Sequence, residues 1–351
     1  MMHPQITIVG AGVAGLCLAR SLLQRRVPVA LYDHGDLSKT ASWAAAGMLA
    51  PTYEAATDSP SHPDLFTLLE AARDQWDRFS KDLAKGARDV GLAHNASVAL
   101  ALTQGQASVF RRLEKHGRAR RLSDEDSDRL GRVRSEAFHA AFWLHRDGQV
   151  DNRALIAWLM RDVQAAGGQV FHGPVPETGL DPETLDADCV VDARGWRSPG
   201  MTPVKGTALS LAPHPGLPKT VVRWGHTYLV PKADRVVLGA HTMAGLTDTS
   251  VDPAIARELL DDAAEIFPAV RDTDVLETWS GIRPRSADGA PVLGWAGQGR
   301  YQLGGLYRDG ILLAPVLAEW ATSEILGEAI PELAKSFSLS RFVASKPALA
   351  R

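Results

Sequence analysis

The sequence predicts an α/β protein of two domains whose segments alternate along the chain. Residues 5–33 contain a strand, a glycine-rich turn, a helix and a second strand, the pattern of a βαβ unit. A strand-rich stretch at 203–240 interrupts this pattern, and a strand followed by a helix returns at 301–326. Because the first and last pieces resemble each other and the middle differs, we expect both domains to be discontinuous in sequence.

Hydrophobic periodicity and helix-ending residues define the individual elements. Strands are predicted at 5–9 and 27–33, on either side of a helix at 14–25. Asp151 as N-cap and Gly167 as a stop predict a helix at 151–167. Further helices are predicted at 64–86, 104–116, 123–131, 252–266 and 309–326, and further strands at 97–103, 169–173, 186–193, 275–280 and several places within 203–240.

Composition narrows the class of partner and compartment. The chain has 351 residues, of which 45% are hydrophobic and 23% charged, with a net charge of −3, so neither a nucleic acid nor a membrane partner is expected. Cys17 and Cys189 lie in apolar runs without a CxxC spacing, which predicts buried thiols and a cytoplasmic location. A secretory signal would require a positively charged N-terminal region, but no Lys or Arg precedes Arg20. The 11 histidines show no metal-ligand spacing.

Three glycines form the first motif with a chemical meaning. Gly10, Gly12 and Gly15 follow the first strand as G-x-G-x-x-G and open the helix. They allow a tight turn, close approach of a pyrophosphate, and close packing of helix on strand, while the helix N-terminus attracts the phosphates. Asp33 ends the second strand, where a carboxylate can bind a ribose. The motif predicts a dinucleotide but does not distinguish FAD from NAD.

A longer set of motifs identifies the cofactor by resemblance. SWAAAGMLAP at 42–51 resembles the flavin-binding loop of the D-amino-acid oxidase family, and in particular of its glycine-oxidase branch. Five further segments resemble motifs of the same family: VVDARGW at 190–196, PVKGTALSL at 203–211, TYLVPKADRVVLGA at 227–240, WSGIRPRSADGAPVLG at 279–294 and GLYRDGILLAP at 305–315.

The resemblance implies the fold in more detail. A Rossmann-like FAD-binding domain is expected to interleave with an α+β substrate domain built on a mostly antiparallel sheet, as in D-amino-acid oxidase and p-hydroxybenzoate hydroxylase. The FAD-binding domain is expected to comprise 1–90, 146–205 and 280–351, and the substrate domain 91–145 and 206–279.

The resemblance also implies non-covalent FAD, because related sarcosine oxidases attach flavin to a cysteine late in the chain and none follows Cys189 here. The residues expected to contact FAD are Gly10, Gly12, Val13, Ala14, Gly15, Asp33, His34, Ala41, Ser42, Ala45, Ala46, Gly47, Met48, Val175, Gly195, Trp196, Gly305, Leu306, Tyr307, Asp309, Gly310, Ile311 and Leu312.

The activity implied is oxidative deamination of a small amino acid, foremost glycine, for the thiazole branch of thiamine synthesis. Hydride passes from the substrate Cα to flavin N5, the imine gives glyoxylate and ammonia, and dioxygen is the expected acceptor and yields hydrogen peroxide. No side chain has to act as acid or base. Arg283 is expected to clamp the substrate carboxylate, because a guanidinium binds both oxygens at once. Arg308, Tyr228 and Met243 complete the expected substrate contacts, with Thr242 as the alternative to Met243.

Several alternatives remain open at this point. One is an oxidase or dehydrogenase of sarcosine or D-amino acids, and others are an NAD(P)-dependent dehydrogenase and a non-catalytic flavoprotein. A tRNA wobble-uridine-modifying FAD enzyme is a further rival, for which the sequence offers one basic cluster, Arg111, Arg112, Lys115, Arg118, Arg120 and Arg121. Leu306 and Asp309 depart from the family pattern, where a histidine and an asparagine are frequent. The oligomeric state is open, a homo-oligomer included.

Overall fold

The computed structural model describes residues 5–57, 62–83, 90–94, 97–173 and 180–342, so the predicted FAD contact Val175 lies outside the described residues. The strands of this part are β1 (Ile6–Val9), β2 (Val29–Asp33), β3 (Met48–Leu49), β4 (Ser97–Ala101), β5 (Ala119–Arg121), β6 (Ala140–Leu144), β7 (Gly148–Gln149), β8 (Gln169–His172), β9 (Cys189–Asp192), β10 (Thr202–Leu211), β11 (Val222–Trp224), β12 (Thr227–Pro231), β13 (Val236–Ala244), β14 (Val275–Arg285), β15 (Val292–Gly297) and β16 (Arg300–Gly304). The helices are α1 (Val13–Gln24), α2 (Ala41–Ala44), α3 (Pro51–Thr57), α4 (Leu65–Asp82), α5 (Gln104–Lys115), α6 (Asn152–Ala165), α7 (Pro253–Ile266), α8 (Gly310–Ile325) and α9 (Glu332–Lys335).

A six-stranded sheet of order β15-β16-β9-β1-β2-β8 carries the glycine-rich turn. β1 lies inside it and pairs in parallel with β2 and β9, and only the β15–β16 pair is antiparallel. Leu16 of α1, Leu159 of α6 and Leu317 of α8 are fully buried in the core against this sheet. The predicted βαβ start and the late return of strand and helix to the same sheet are confirmed.

The second sheet has eight strands in the order β14-β10-β13-β12-β11-β4-β6-β5. All of its neighbouring strands are antiparallel except β11 and β4. Helix α7 packs its buried Leu259 and Ala263 on this sheet. The predicted mostly antiparallel sheet is confirmed.

The structure differs from the sequence-based elements in several places, and the short elements β3, β5, β7, β15, α2, α3 and α9 were not predicted. Residues 123–131 form a short 3-10 turn at Asp124–Arg129, because the run DEDSD has no apolar face to bury in a longer helix. β6 was not predicted, and β14 runs to Arg285, five residues beyond the predicted strand end at 280. The predicted domain limits after residues 205 and 279 fall inside β10 and β14, and these limits stay predictions. Among the helices described, none is long and apolar enough to cross a membrane.

Candidate active site

One cavity of about 560 Å³ extends from the N-terminus of α1 to the face of the eight-stranded sheet. It collects most of the predicted contact residues: Gly10, Gly12, Val13, Ala14, Asp33, His34, Ala41, Ser42, Ala45, Ala46, Gly47, Met48, Gly195, Trp196, Tyr228, Arg283, Leu306, Tyr307, Arg308, Asp309, Gly310 and Ile311. Gly15, Gly305, Leu312 and Met243 do not line it. Residues 300 positions apart in sequence thus share one cavity, whose two ends differ in chemistry.

Glycine is required at the end of the cavity near α1. Gly10 has a φ of +114°, and a Cβ there would lie 2.7 Å from the carbonyl carbon of Ala193 on the neighbouring strand end. A Cβ on Gly15 would collide with the carbonyl oxygen of Gly10, so only glycine lets α1 start this close to β1. The turn therefore has the shape that a pyrophosphate needs next to a helix N-terminus.

Polar groups complete this end of the cavity. The Asp33 carboxylate accepts hydrogen bonds from the amides of Ala11 (2.8 Å) and Gly35 (3.1 Å). A carboxylate has about four acceptor sites, so Asp33 keeps capacity for ribose hydroxyls. The amide of Val13 donates to the Ser42 hydroxyl at 2.9 Å, which brings the loop after β2 onto the helix N-terminus. The residues present fit FAD.

We expect Gly10→Ala to yield colourless protein. The added methyl would meet the Ala193 carbonyl, and alanine resists a φ of +114°, so the turn must shift away from the phosphate position. The ratio of flavin to protein absorbance after purification measures the effect, with Gly173→Ala as a control because nothing lies within 4 Å of a Cβ there. A Gly10→Ala protein with wild-type flavin content would contradict this account of the turn.

The opposite end of the cavity is built around Arg283 on β14. Its guanidinium lies across Gly206 of β10, where a Cβ would be 2.5 Å from Cζ. Its Nη1 donates to the Thr242 hydroxyl at 3.2 Å. Burial, reinforced by the nearby charge of Arg308, lowers the pKa of Arg283, although Tyr228 opposes this shift. Arg283 makes no ion pair with any described residue, so its guanidinium is available to an anion that enters the cavity.

Thr242, and not Met243, faces Arg283. Thr242 pairs with Gly206, and Met243 pairs with Lys205. Side chains alternate between the faces of a sheet, so Met243 lies on the face away from the cavity. A shift of one residue in the register of β13 would exchange the two positions, so the register decides whether Thr242 or Met243 faces the cavity.

A buried ion cluster that the sequence did not predict lies beside Arg283. Glu54 of α3 is ion-paired with Arg223 of β11 at 2.6 Å and with Arg308 at 3.4 Å. Burial raises the pKa of Glu54, but the guanidinium groups of Arg223 and Arg308 outweigh it and hold that pKa below its usual range. Glu54 is therefore a carboxylate, and its position fixes Arg308 at the cavity wall.

A sequence signal for this cluster exists in the strand that carries Arg223. The run VVRW is apolar apart from Arg223, whose side chain is 1% exposed. A buried guanidinium requires a carboxylate partner, so the strand pattern alone indicates that a distant acid must reach it.

Tyr228 adds a hydrogen-bond donor to the same end of the cavity. Its side chain is buried and lines the cavity, and burial raises the pKa of Tyr228 against the opposing charge of Arg283. Its hydroxyl therefore remains protonated at neutral pH and can donate to an anion.

The N-terminus of α8 also reaches the cavity. Leu306 is buried, and Tyr307 has a φ of +45°, held by its amide donating to the Pro284 carbonyl at 3.0 Å. Asp309 occupies the N-cap position, but its side chain makes no capping hydrogen bond, and it lines the cavity. The residue that departs from the family pattern thus lies in the cavity wall, and its side chain does not cap α8.

The basic cluster considered for RNA lies elsewhere, on α5 and β5. Arg118 is paired with Glu70 (3.4 Å) and Arg120 with Asp126 (2.9 Å). None of the six basic residues lines the cavity. The geometry therefore gives no link between this cluster and the candidate site.

Comparisons with known proteins match the chain to a family of FAD-dependent oxidoreductases and to glycine oxidases. A family model described as FAD dependent oxidoreductase matches residues 5–324. The chain is 31% identical to the glycine oxidase of Geobacillus kaustophilus, over 96% of this chain and 95% of that protein. It is also 31% identical to the bifunctional protein ThiO/ThiG of Synechocystis, over 96% of this chain and 54% of that protein, so it spans about half of that relative. A crystal structure of the Geobacillus kaustophilus glycine oxidase matches with a TM-score of 0.83 at 28% identity, covering 97% of this chain and 99% of that one.

Proposed function

Because the chain belongs to the family of FAD-dependent oxidoreductases, we propose that it oxidatively deaminates a small amino acid, foremost glycine. The observation that carries this proposal is Arg283, a guanidinium without an ion pair among the described residues, at the end of the cavity opposite the glycine-rich turn. A bidentate guanidinium is suited to an amino acid carboxylate.

The residues of the site have separate tasks in this proposal. Arg283 binds both carboxylate oxygens, the Tyr228 hydroxyl donates a further hydrogen bond to the same group, and Arg308, fixed by Glu54, adds positive charge beside them. FAD bound in this cavity would supply the acceptor for hydride from the substrate Cα, and dioxygen would be the final oxidant, giving hydrogen peroxide. The chain itself contributes orientation and exclusion of water, and the released imine hydrolyses to glyoxylate and ammonia.

The wider setting is also a proposal. The match to a ThiO/ThiG protein supports a role in the thiazole branch of thiamine synthesis. Two free, buried cysteines agree with a cytoplasmic location. Dioxygen is proposed as the electron acceptor and a homo-oligomer as the assembly.

The proposal is tested by anaerobic bleaching of the flavin absorbance. Purified protein mixed with glycine is expected to lose its visible flavin bands, and sarcosine and D-alanine rank the substrate class. Reduction by sarcosine or D-alanine but not by glycine would move the assignment to that branch of amine oxidases. Flavin that none of the three reduces would overturn the proposed function.

Gly206→Ala is expected to raise KM for glycine about tenfold while FAD stays bound, because the methyl displaces the Arg283 guanidinium, and a loss near 1.4 kcal/mol is a factor of ten in affinity. Steady-state kinetics measure KM, and the flavin absorbance measures FAD. Gly105→Ala is the matched control, because the nearest atom to a Cβ there is 3.8 Å away. An unchanged KM in Gly206→Ala would show that the guanidinium position does not matter.

A further inference from the structure

The flavin-loop helix α2 is held by side chains from two separate parts of the chain, the start of α6 and strand β14. Its residues Ala41, Ser42 and Ala44 line the cavity, whereas Trp43 does not. Trp43 packs instead against the hydrophobic cores of both sheets. The outward face of α2 is thus the place where the cavity wall meets the rest of the molecule.

Three backbone carbonyls at the end of α2 accept hydrogen bonds from distant side chains. The last carbonyls of a helix have no partner within it. The Asn152 amide at the start of α6 donates to the carbonyls of Ser42 (2.9 Å) and Trp43 (2.8 Å). The Trp279 indole of β14 donates to the carbonyl of Ala44 at 2.9 Å.

A cation joins the two tryptophans that flank this helix. The Cζ atom of Arg153 lies 3.4 Å from the ring centroid of Trp43 and 4.6 Å from that of Trp279. The two rings meet edge to face, with centroids 6.0 Å apart. The Arg153 Nη1 also donates to Glu277 at 2.8 Å, two residues before Trp279 on the same strand. Planar guanidinium groups stack on aromatic faces in a way that lysine does not reproduce.

Strand β14 also carries Arg283, the residue proposed to bind the substrate carboxylate. Trp279, Gly281 and Arg283 alternate along β14 and therefore share one face. A Cβ on Gly281 would collide with the Cβ of Ala44. The strand and the flavin loop are therefore in direct contact at Gly281, between Trp279 and Arg283. Any shift of α2 against β14 changes the distance between the flavin loop and Arg283.

We propose that Trp43, Arg153 and Trp279 form a clamp that sets the distance between the flavin-binding loop and Arg283. The three are positioning residues, because none of them lines the cavity. This inference rests on the proposed function, since Arg283 is taken to hold the substrate. A displacement of about 1 Å can lower the rate of an aligned reaction by as much as 10²-fold.

The test uses the whole chain with FAD bound. Trp279→Phe removes the donor to Ala44 and keeps a ring, and Arg153→Lys keeps the charge next to Glu277 and removes the planar stack. Arg129→Lys is the matched control, because Arg129 also lies over a tryptophan, 5.1 Å from the Trp143 ring, away from the cavity. Three quantities are measured: the FAD dissociation constant of apoprotein, the visible circular dichroism of bound FAD, and the limiting rate of anaerobic flavin reduction by glycine.

Trp279→Phe is expected to lower the limiting reduction rate about 10- to 100-fold, with less than about a threefold change in half-saturating glycine. The visible circular dichroism is expected to change with it. Arg153→Lys should change both quantities in the same direction by less, and Arg129→Lys should leave them unaltered.

The clamp is overturned if both variants keep the wild-type reduction rate and circular dichroism, or if only the FAD dissociation constant changes while the rate at saturating FAD is normal. Failure of the proposed function is a separate outcome, in which wild-type flavin is not reduced by any amino acid. The circular dichroism and the dissociation constant then still decide whether the clamp positions the flavin loop. If Trp279→Phe does not fold, Arg153→Lys carries the same comparison.

Discussion

Arg283→Ala is expected to lower kcat/KM for glycine by roughly 30- to several thousand-fold, since removal of one partner of a desolvated charge pair costs about 2–5 kcal/mol. Most of the loss should appear in KM, because the carboxylate is bound in both the ground state and the transition state. Stopped-flow bleaching over a range of glycine concentrations separates the two parameters.

Two further variants make this result specific to the guanidinium fork. Arg283→Lys keeps a cation but not the bidentate geometry, so it should fall between wild type and alanine. Arg271→Ala is the control, because Arg271 is an exposed surface residue that pairs with Glu265 at 3.4 Å. If Arg283→Ala protein is reduced as readily as wild type at low glycine, Arg283 does not bind the carboxylate.

Glu54→Ala is expected to destabilise the protein by about 3–5 kcal/mol, because it leaves a buried cation without its partner. Arg223 is fully buried, and its only hydrogen bond among the described residues is the one to Glu54 at 2.6 Å. Its guanidinium otherwise lies over the Tyr53 ring, 3.8 Å from the centroid. Thermal unfolding should show a decrease in Tm of roughly 10 °C, at about 2–4 °C per kcal/mol.

A double variant separates charge from shape. Glu54→Leu combined with Arg223→Met replaces the ion pair by apolar groups of similar size, which is often neutral for stability. We expect Tm to recover in the double variant while activity stays low, because Arg308 has lost the Glu54 carboxylate. If the Tm of Glu54→Ala equals that of wild type, the charge of Arg223 is compensated by a group other than Glu54.

The Glu54 cluster also has a defined pH dependence. The folded-state pKa of Glu54 is held below its ordinary value of 4.5, so its stabilising contribution is present above that value and is lost as pH falls through the folded pKa. The stability difference between wild type and Glu54→Gln should therefore be constant at neutral pH and shrink as the pH falls below the ordinary Glu54 pKa of 4.5. Denaturant unfolding at several pH values measures this difference.

Local motifs were predictable from sequence because their function depends on neighbours in the chain. Gly10, Gly12 and Gly15 act within one turn, and Arg283 could be selected because it lies in the family-like segment WSGIRP and its guanidinium suits a carboxylate. The structure brings these groups to one cavity, although their contact with cofactor and substrate stays a prediction.

Contacts across long sequence separations were not predictable in the same way. Glu54 and Arg223 are 169 residues apart, and the sequence shows only that Arg223 needs an acid, not which one. Arg153 at the start of α6 and Trp279 on β14 are likewise distant in sequence and are brought together only by the fold. The choice between Thr242 and Met243 depended on strand register, which the irregularity between Thr207 and Ala208 shifts by one residue.

The strand order of the six-stranded sheet has a consequence for biosynthesis. β1 leaves the ribosome before β9, whose Cys189 follows its partner Ile6 by 183 residues, a stretch that takes on the order of 10–40 s to translate at typical elongation rates. During that time the nascent chain exposes an apolar strand with an open edge, which favours aggregation unless a chaperone covers it. The nucleotide pocket is completed only when Gly310 has been translated, so flavin loading is expected well after the glycine-rich turn at Gly10 has been made.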